Sequence, residues 1–197
     1  MPSCTSRAWR RSASMSPPSK RLVGSVAGVA LTLAAAIATR WEGVRYTPYR
    51  DPVGVLTVCY GHTGPDVVPG RTYSRAECEA LLQHDLAIAR AAVHRCIPVP
   101  LLPQIDGALT DAAFNLGPRV VCGSTLQKKA LANDWPGACA QLDLWNKAGG
   151  RVYDGLVYRR DDERALCEGR ALWPKAAGSF CRSRWAASSA SGSASRA

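Results

Sequence analysis

Glu42, Asp51 and Thr57 lie close together in the chain as E-x8-D-x5-T, and a Gly61-His62 pair follows. Two carboxylates with a nearby hydroxyl suit hydrolysis of a glycosidic bond. One carboxylic acid protonates the leaving oxygen, while a carboxylate and a hydroxyl hold a water on the opposite face of the sugar. Singly, each residue has an ordinary explanation. Glu42 is a solvated acid, Asp51 before Pro52 and Gly54 is a turn residue, and Thr57 is a strand former. The ordered set is what carries information.

The elements around the set must position it. Residues 53–62 alternate enough to predict a strand, with Gly54 as a bend and Thr57 and Cys59 on one face. Glu42 is expected near the start of a short helical or turn segment beside Trp41. Ser74-x-x-Glu77 is a capping box that opens a helix to about His94, with Leu81, Leu82, Leu86 and Ile88 as its buried side. Further helices are expected at 103–115, 124–132, 135–147 and 155–168. Asp134 and Pro136 begin the fourth expected segment, and Gly149-Gly150 end it. The body therefore reads as α+β: a small β-containing lobe over 42–72 and a larger helical lobe over 73–180.

Ahead of Glu42 runs LVGSVAGVALTLAAAIAT, residues 22–39, without charge and bracketed by Lys20-Arg21 and Arg40. As a helix it would span about 27 Å, just short of a bilayer's hydrocarbon core. Small residues fill most of it, so insertion would be marginal. Three readings stay open on these grounds: a signal removed after Ala38, a permanent anchor with its N-terminus inside, and a weak anchor that inserts and later leaves. Met15 offers an alternative start with a short basic flank.

The 197 residues carry a formal charge of +10. Eight of those charges sit in the two ends, residues 1–21 and 182–197, which contain no acid. The body is close to neutral, which argues against a nucleic-acid partner. Eight cysteines point to an oxidising compartment, and no C-x-x-C spacing suggests zinc. Neither metal nor organic cofactor is expected. Cys139–Cys167 is the first pairing expected, then Cys96–Cys122, then Cys59–Cys78, leaving Cys181 over. Connectivity stays open from sequence.

The chain resembles glycoside hydrolase family 24, the phage-type lysozymes, over roughly residues 41–169. Besides E-x8-D-x5-T and Gly61-His62, the matches are Ala113-Phe114-Asn115-x-Gly117, Ser124-Thr125-Leu126, Gly137-Ala138-Cys139, Trp145 with Gly149-Gly150, and Gly155-Leu156-Val157-x-Arg159-Arg160 with Glu163-Arg164. The resemblance implies a lysozyme-like fold with a cleft between two lobes. It implies Glu42 as general acid, Asp51 as the residue that activates water with help from Thr57, and inversion at the sugar carbon. His62 would be structural, paired with Asp85 on the next helix, and Arg159 or Arg160 would approach Glu42 from the last helix.

The segment 22–40 is similar to the signal-anchor-release segments of some endolysins of lambdoid phages. The implied organisation is a basic segment 1–21, an anchor 22–40, a catalytic domain 41–180 and a disordered tail 181–197. Peptidoglycan is the implied substrate. The implied route is export by the host to the inner membrane, then the periplasm, as a monomer. Two rivals remain: a transglycosylase on the same polymer, and a membrane-tethered wall-binding protein without catalysis.

Overall fold

A helix of 23 residues, α1 (Lys20–Glu42), opens the computed structural model, which describes residues 20–51 and 54–170, with side chains from Val26 onward. Most of the basic segment 1–21, including Met15, and the tail 181–197 with Cys181 lie outside the described residues. Helix α1 runs without a break through Arg40 and Trp41, so Glu42 is its last residue rather than the start of a new segment. Nothing in Thr39-Arg40-Trp41-Glu42 disfavours a helix. The first residue that does is Gly43, whose φ of 65° terminates α1 in the left-handed conformation. Ala30, Ala34, Ile37 and Ala38 of α1 are fully buried against the rest of the protein. Among the described residues, no helix is long and apolar enough to cross a membrane.

Three antiparallel strands follow in the order β1-β2-β3: β1 (Arg45–Arg50), β2 (Leu56–Cys59) and β3 (His62–Thr63). The expected strand 53–62 is thus shorter than its pattern suggested. Val55 belongs to the tight turn from β1, and Gly61 to the turn into β3. Cys59 has φ 59°, so the alternation that would align it with Thr57 ends there. Strand β1 has no apolar alternation to announce it. Most of it is exposed, and its register shifts between Arg45 and Tyr49, around Pro48, which has no amide hydrogen to pair.

Helix α2 (Arg75–Cys96) starts at the expected capping box: Ser74 Oγ accepts from the Glu77 amide, and Glu77 accepts from the Ser74 amide at 2.7 Å. Its buried line is Cys78, Leu82, Leu86, Ala89, Ala92 and Val93. Ile88 is 60% exposed, a correction that follows from helical geometry, since position 88 lies about 200° around from Leu86. Cys78 joins Val58, Val67 and Tyr73 in the small core beneath the sheet. Val93 and Ile97 join Ile37, Leu109, Leu126 and Leu166 in the large helical core. Helix α2 therefore bridges the two lobes.

The helical lobe comprises α3 (Pro103–Leu116), α4 (Thr125–Leu131), α5 (Trp135–Ala140) and α6 (Asp154–Cys167). Helix α5 is shorter than the expected 135–147. It tightens into a 3-10 turn at Gln141–Leu144 and gives way to a hairpin, β4 (Lys147–Ala148) and β5 (Arg151–Val152). Gly149 and Gly150, at φ 55° and 79°, form the hairpin turn rather than a helix stop. Two consecutive left-handed residues are what a two-residue turn between twisted strands requires. Disulfides join Cys59 to Cys78, Cys96 to Cys122 and Cys139 to Cys167.

Candidate active site

Because α1 stops at Gly43, the Glu42 side chain projects from a helix end into the space between the lobes. Its side chain is 25% exposed, and its carboxylate lies near groups from three elements. Arg159 Nη1, from α6, donates to Oε1. The Asn115 amide, from α3, reaches the same oxygen at 3.4 Å. Beside the other oxygen is Gly61, in the β2–β3 turn, where a β-carbon would stand 3.9 Å from Oε2. A cavity of about 380 Å³ shares Gly61 and runs along α2 and α3, lined also by Thr63, Asp85, Ala92, Ala113 and Phe114, while Glu42 itself does not line it.

Arg159 is itself fixed. It is 3% exposed and donates through Nε and Nη2 to the fully buried Asp111 on α3, at 3.1 and 2.9 Å. Burial alone would weaken its charge. The nearby Asp111 and Glu42 carboxylates outweigh that and hold its pKa above the ordinary value. Arg160 does not reach Glu42. Its Nη2 donates to Asn115 Oδ1 at 3.0 Å and to Glu163. Glu163 is fully buried, and burial pushes its carboxyl well above the usual range. Of the two arginines expected near Glu42, Arg159 makes the contact and Arg160 supports the amide beside it.

Asp51 and Thr57 are carried together by the β1–β2 hairpin. Asp51 directly follows β1 and closes the turn: its Oδ1 accepts from the Val55 amide at 2.8 Å, and its own amide donates to the Val55 carbonyl at 2.9 Å. Thr57 pairs in register with Tyr49, is buried, and donates its hydroxyl to the Val55 carbonyl at 3.2 Å. Its oxygen lone pairs are left to accept. His62, buried, faces Asp85 Oδ2 through Nδ1 at 2.8 Å and Asp66 through Nε2 at 3.2 Å. Burial lowers its pKa, but the two carboxylates more than offset this and leave it raised.

Asp111 and Asn115 were not singled out as site residues in the sequence. A signal existed: Asp111 interrupts the apolar face of α3, and α6 carries two adjacent arginines in need of a buried partner. Among the described residues, no group of three or more His, Cys, Asp or Glu side chains could hold a metal ion.

The two lobes, with an acid at a helix end facing a sheet turn, define the class of lysozyme-like folds. A crystal structure of a P22 lysozyme mutant is similar to this chain at TM-score 0.63 and 32% identity, over 68% of this chain and 94% of that one. The endolysin from Escherichia coli O157:H7 phage FAHEc1 is similar at TM-score 0.62 and 26% identity, over 68% and 90% of the two chains. The family model "Phage lysozyme" matches residues 39–163. A SAR-endolysin of Bacteriophage PS119 is 43% identical over 82% of this chain and 98% of its own length. A SAR-endolysin of Enterobacteria phage P21 is 42% identical over 80% and 98%. The chain belongs to the phage lysozyme family. It is a glycoside hydrolase of that family, a peptidoglycan-degrading enzyme of lysis.

Proposed function

We propose that the enzyme cleaves the β-1,4 bond between N-acetylmuramic acid and N-acetylglucosamine with inversion. Glu42 gives its proton to the glycosidic oxygen as the bond to the anomeric carbon breaks. Asp51 takes a proton from a water that attacks that carbon from the other face, and Thr57 accepts a hydrogen bond from the same water. The observation that carries this reading is the placement of Glu42, whose Oε1 is held by Arg159 and Asn115 while its Oε2 lies beside Gly61 of the β2–β3 turn. A transglycosylase has no need of a water-holding pair on the β1–β2 hairpin.

We further infer that residues 22–40 first hold the protein at the inner membrane, N-terminus inside, and are later released to the periplasm uncleaved. The sequence relatives named as SAR-endolysins support this. So does the chemistry of α1. Its Thr32 and Thr39 hydroxyls bond within the helix, to the Gly28 carbonyl at 2.9 Å and the Ala35 carbonyl at 2.8 Å, and need no outside partner. While inserted, α1 would hold Glu42 at the lipid surface, away from Arg159 and Asn115.

Turbidity loss of permeabilised Gram-negative cells tests the catalytic reading. Wild type is expected to lyse them and Glu42→Gln to leave them intact; equal lysis by both would remove Glu42 from the mechanism. For the anchor, membrane and soluble fractions are compared before and after dissipating the membrane potential. Full-length protein should move to the soluble fraction as activity rises.

A further inference from the structure

Gly107 lies inside α3, where a glycine lowers helix stability relative to alanine. What it faces accounts for it. A β-carbon at 107 would stand 2.9 Å from the Ala30 carbonyl oxygen and 3.0 Å from Leu33 Cβ, with the Ala34 amide nitrogen at 3.6 Å. All three atoms belong to α1. None is the far end of a flexible side chain, so none can swing aside. The two helices cross here with their backbones in contact.

Gly107, Asp111 and Asn115 follow one another at intervals of four residues and so share one line along α3. Asp111 grips Arg159, which meets Glu42, and Asn115 reaches Glu42 directly. One stripe of α3 therefore carries the seat for α1 and, about 12 Å along, the groups that receive its terminal carboxylate. Between the crossing and Glu42, α1 is an unbroken helix, so any lift at Gly107 is passed along the rod to its end.

We infer that Gly107 is a positioning residue for catalysis: its missing side chain lets α1 seat closely enough on α3 to bring Glu42 to Arg159 and Asn115. The inference rests on the reading of Glu42 as the acid. Two other helical glycines lack this constraint. Gly28 in α1 and Gly155 in α6 have nothing within 4 Å of a built β-carbon, so the same substitution there meets open space.

The test uses the purified full-length chain with peptidoglycan as substrate. Gly107→Ala is expected to lower kcat by roughly tenfold or more, as small misplacements of reacting groups do, with KM held within about twofold. Gly28→Ala and Gly155→Ala should keep kcat within about twofold of wild type, as substitutions into open space do. Amide hydrogen exchange should show protection lost over 26–42 and kept over 75–96 and 154–167 in Gly107→Ala. An unchanged kcat overturns the inference. So does a rise in KM alone, or loss of protection throughout the domain, which would make Gly107 merely structural. Glu42→Gln in the same assay separates the two ideas. Full activity there overturns the reading of Glu42 and this inference with it. An inactive Glu42→Gln beside an active Gly107→Ala overturns this inference alone.

Discussion

Arg159 and Asp111, 48 residues apart in the chain, form a two-point ion pair in the interior, with Nε on one carboxylate oxygen at 3.1 Å and Nη2 on the other at 2.9 Å. The pair joins α6 to α3 and leaves Nη1 for Glu42. Geometry of this kind restricts the guanidinium to one orientation, which a lysine could not reproduce.

Breaking that pair should be costly. Asp111→Ala removes two charge-assisted bonds from a buried arginine and is expected to cost about 3–5 kcal/mol. Asp111→Asn keeps the shape and should cost less. Thermal unfolding of both variants against wild type measures the difference, and lytic activity should fall with it as Arg159 loses its aim.

His62 makes stability depend on pH. Its pKa is raised above the ordinary 6.5 in the folded protein, so folding binds a proton more tightly than the unfolded chain does. The stabilisation is complete below about 6.5 and is lost as pH rises through the folded value. Unfolding midpoints from pH 5 to 9 should decline across that window. In His62→Gln the same decline should be absent, with a lower midpoint at pH 5.

The Cys139–Cys167 bridge ties α5 to the helix that carries Arg159 and closes a loop with a sequence separation of 28. Chain-entropy arguments put its contribution at about 3–4 kcal/mol. The double variant Cys139→Ser/Cys167→Ser should lose that much in denaturant unfolding. Peptide mapping without reductant should find the two cysteines linked in wild type.

On the β1–β2 hairpin, Asp51→Asn retains the size of the turn-closing side chain and removes the carboxylate proposed as the base. Loss of a positioned general base costs roughly 10²–10⁴-fold in kcat, and Asp51→Asn should fall in that range with KM little changed. Thr57→Val keeps the buried volume and should slow turnover less. Single-turnover kinetics on defined muropeptide oligomers would separate these effects from binding.

Much of the site was legible from local chemistry. E-x8-D-x5-T, the Ser74 capping box and the Asp134 cap are short-range patterns, and the hydrogen bonds of Asp51 and of the two caps lie within a few residues. His62 and Asp85 were matched by resemblance, and the structure places them 2.8 Å apart. Legibility failed where a local pattern has two meanings. Gly149-Gly150 serves a helix stop or a hairpin turn equally well, and Ile88 is apolar without being inside. The exposed strand β1 had no periodic signal at all.

By itself the sequence determined the residue types available for the chemistry, most of the helices, and an apolar segment whose composition suits two environments. Only the tertiary structure decided that this segment and Glu42 form one helix, that the helix packs against α3 at Gly107, and that Arg159 rather than Arg160 meets the acid. The reason is physical. Capping and turn formation are governed by neighbours in the chain. The position of Glu42 depends on contacts 73 and 117 residues away, which exist only once α1, α3 and α6 have packed together.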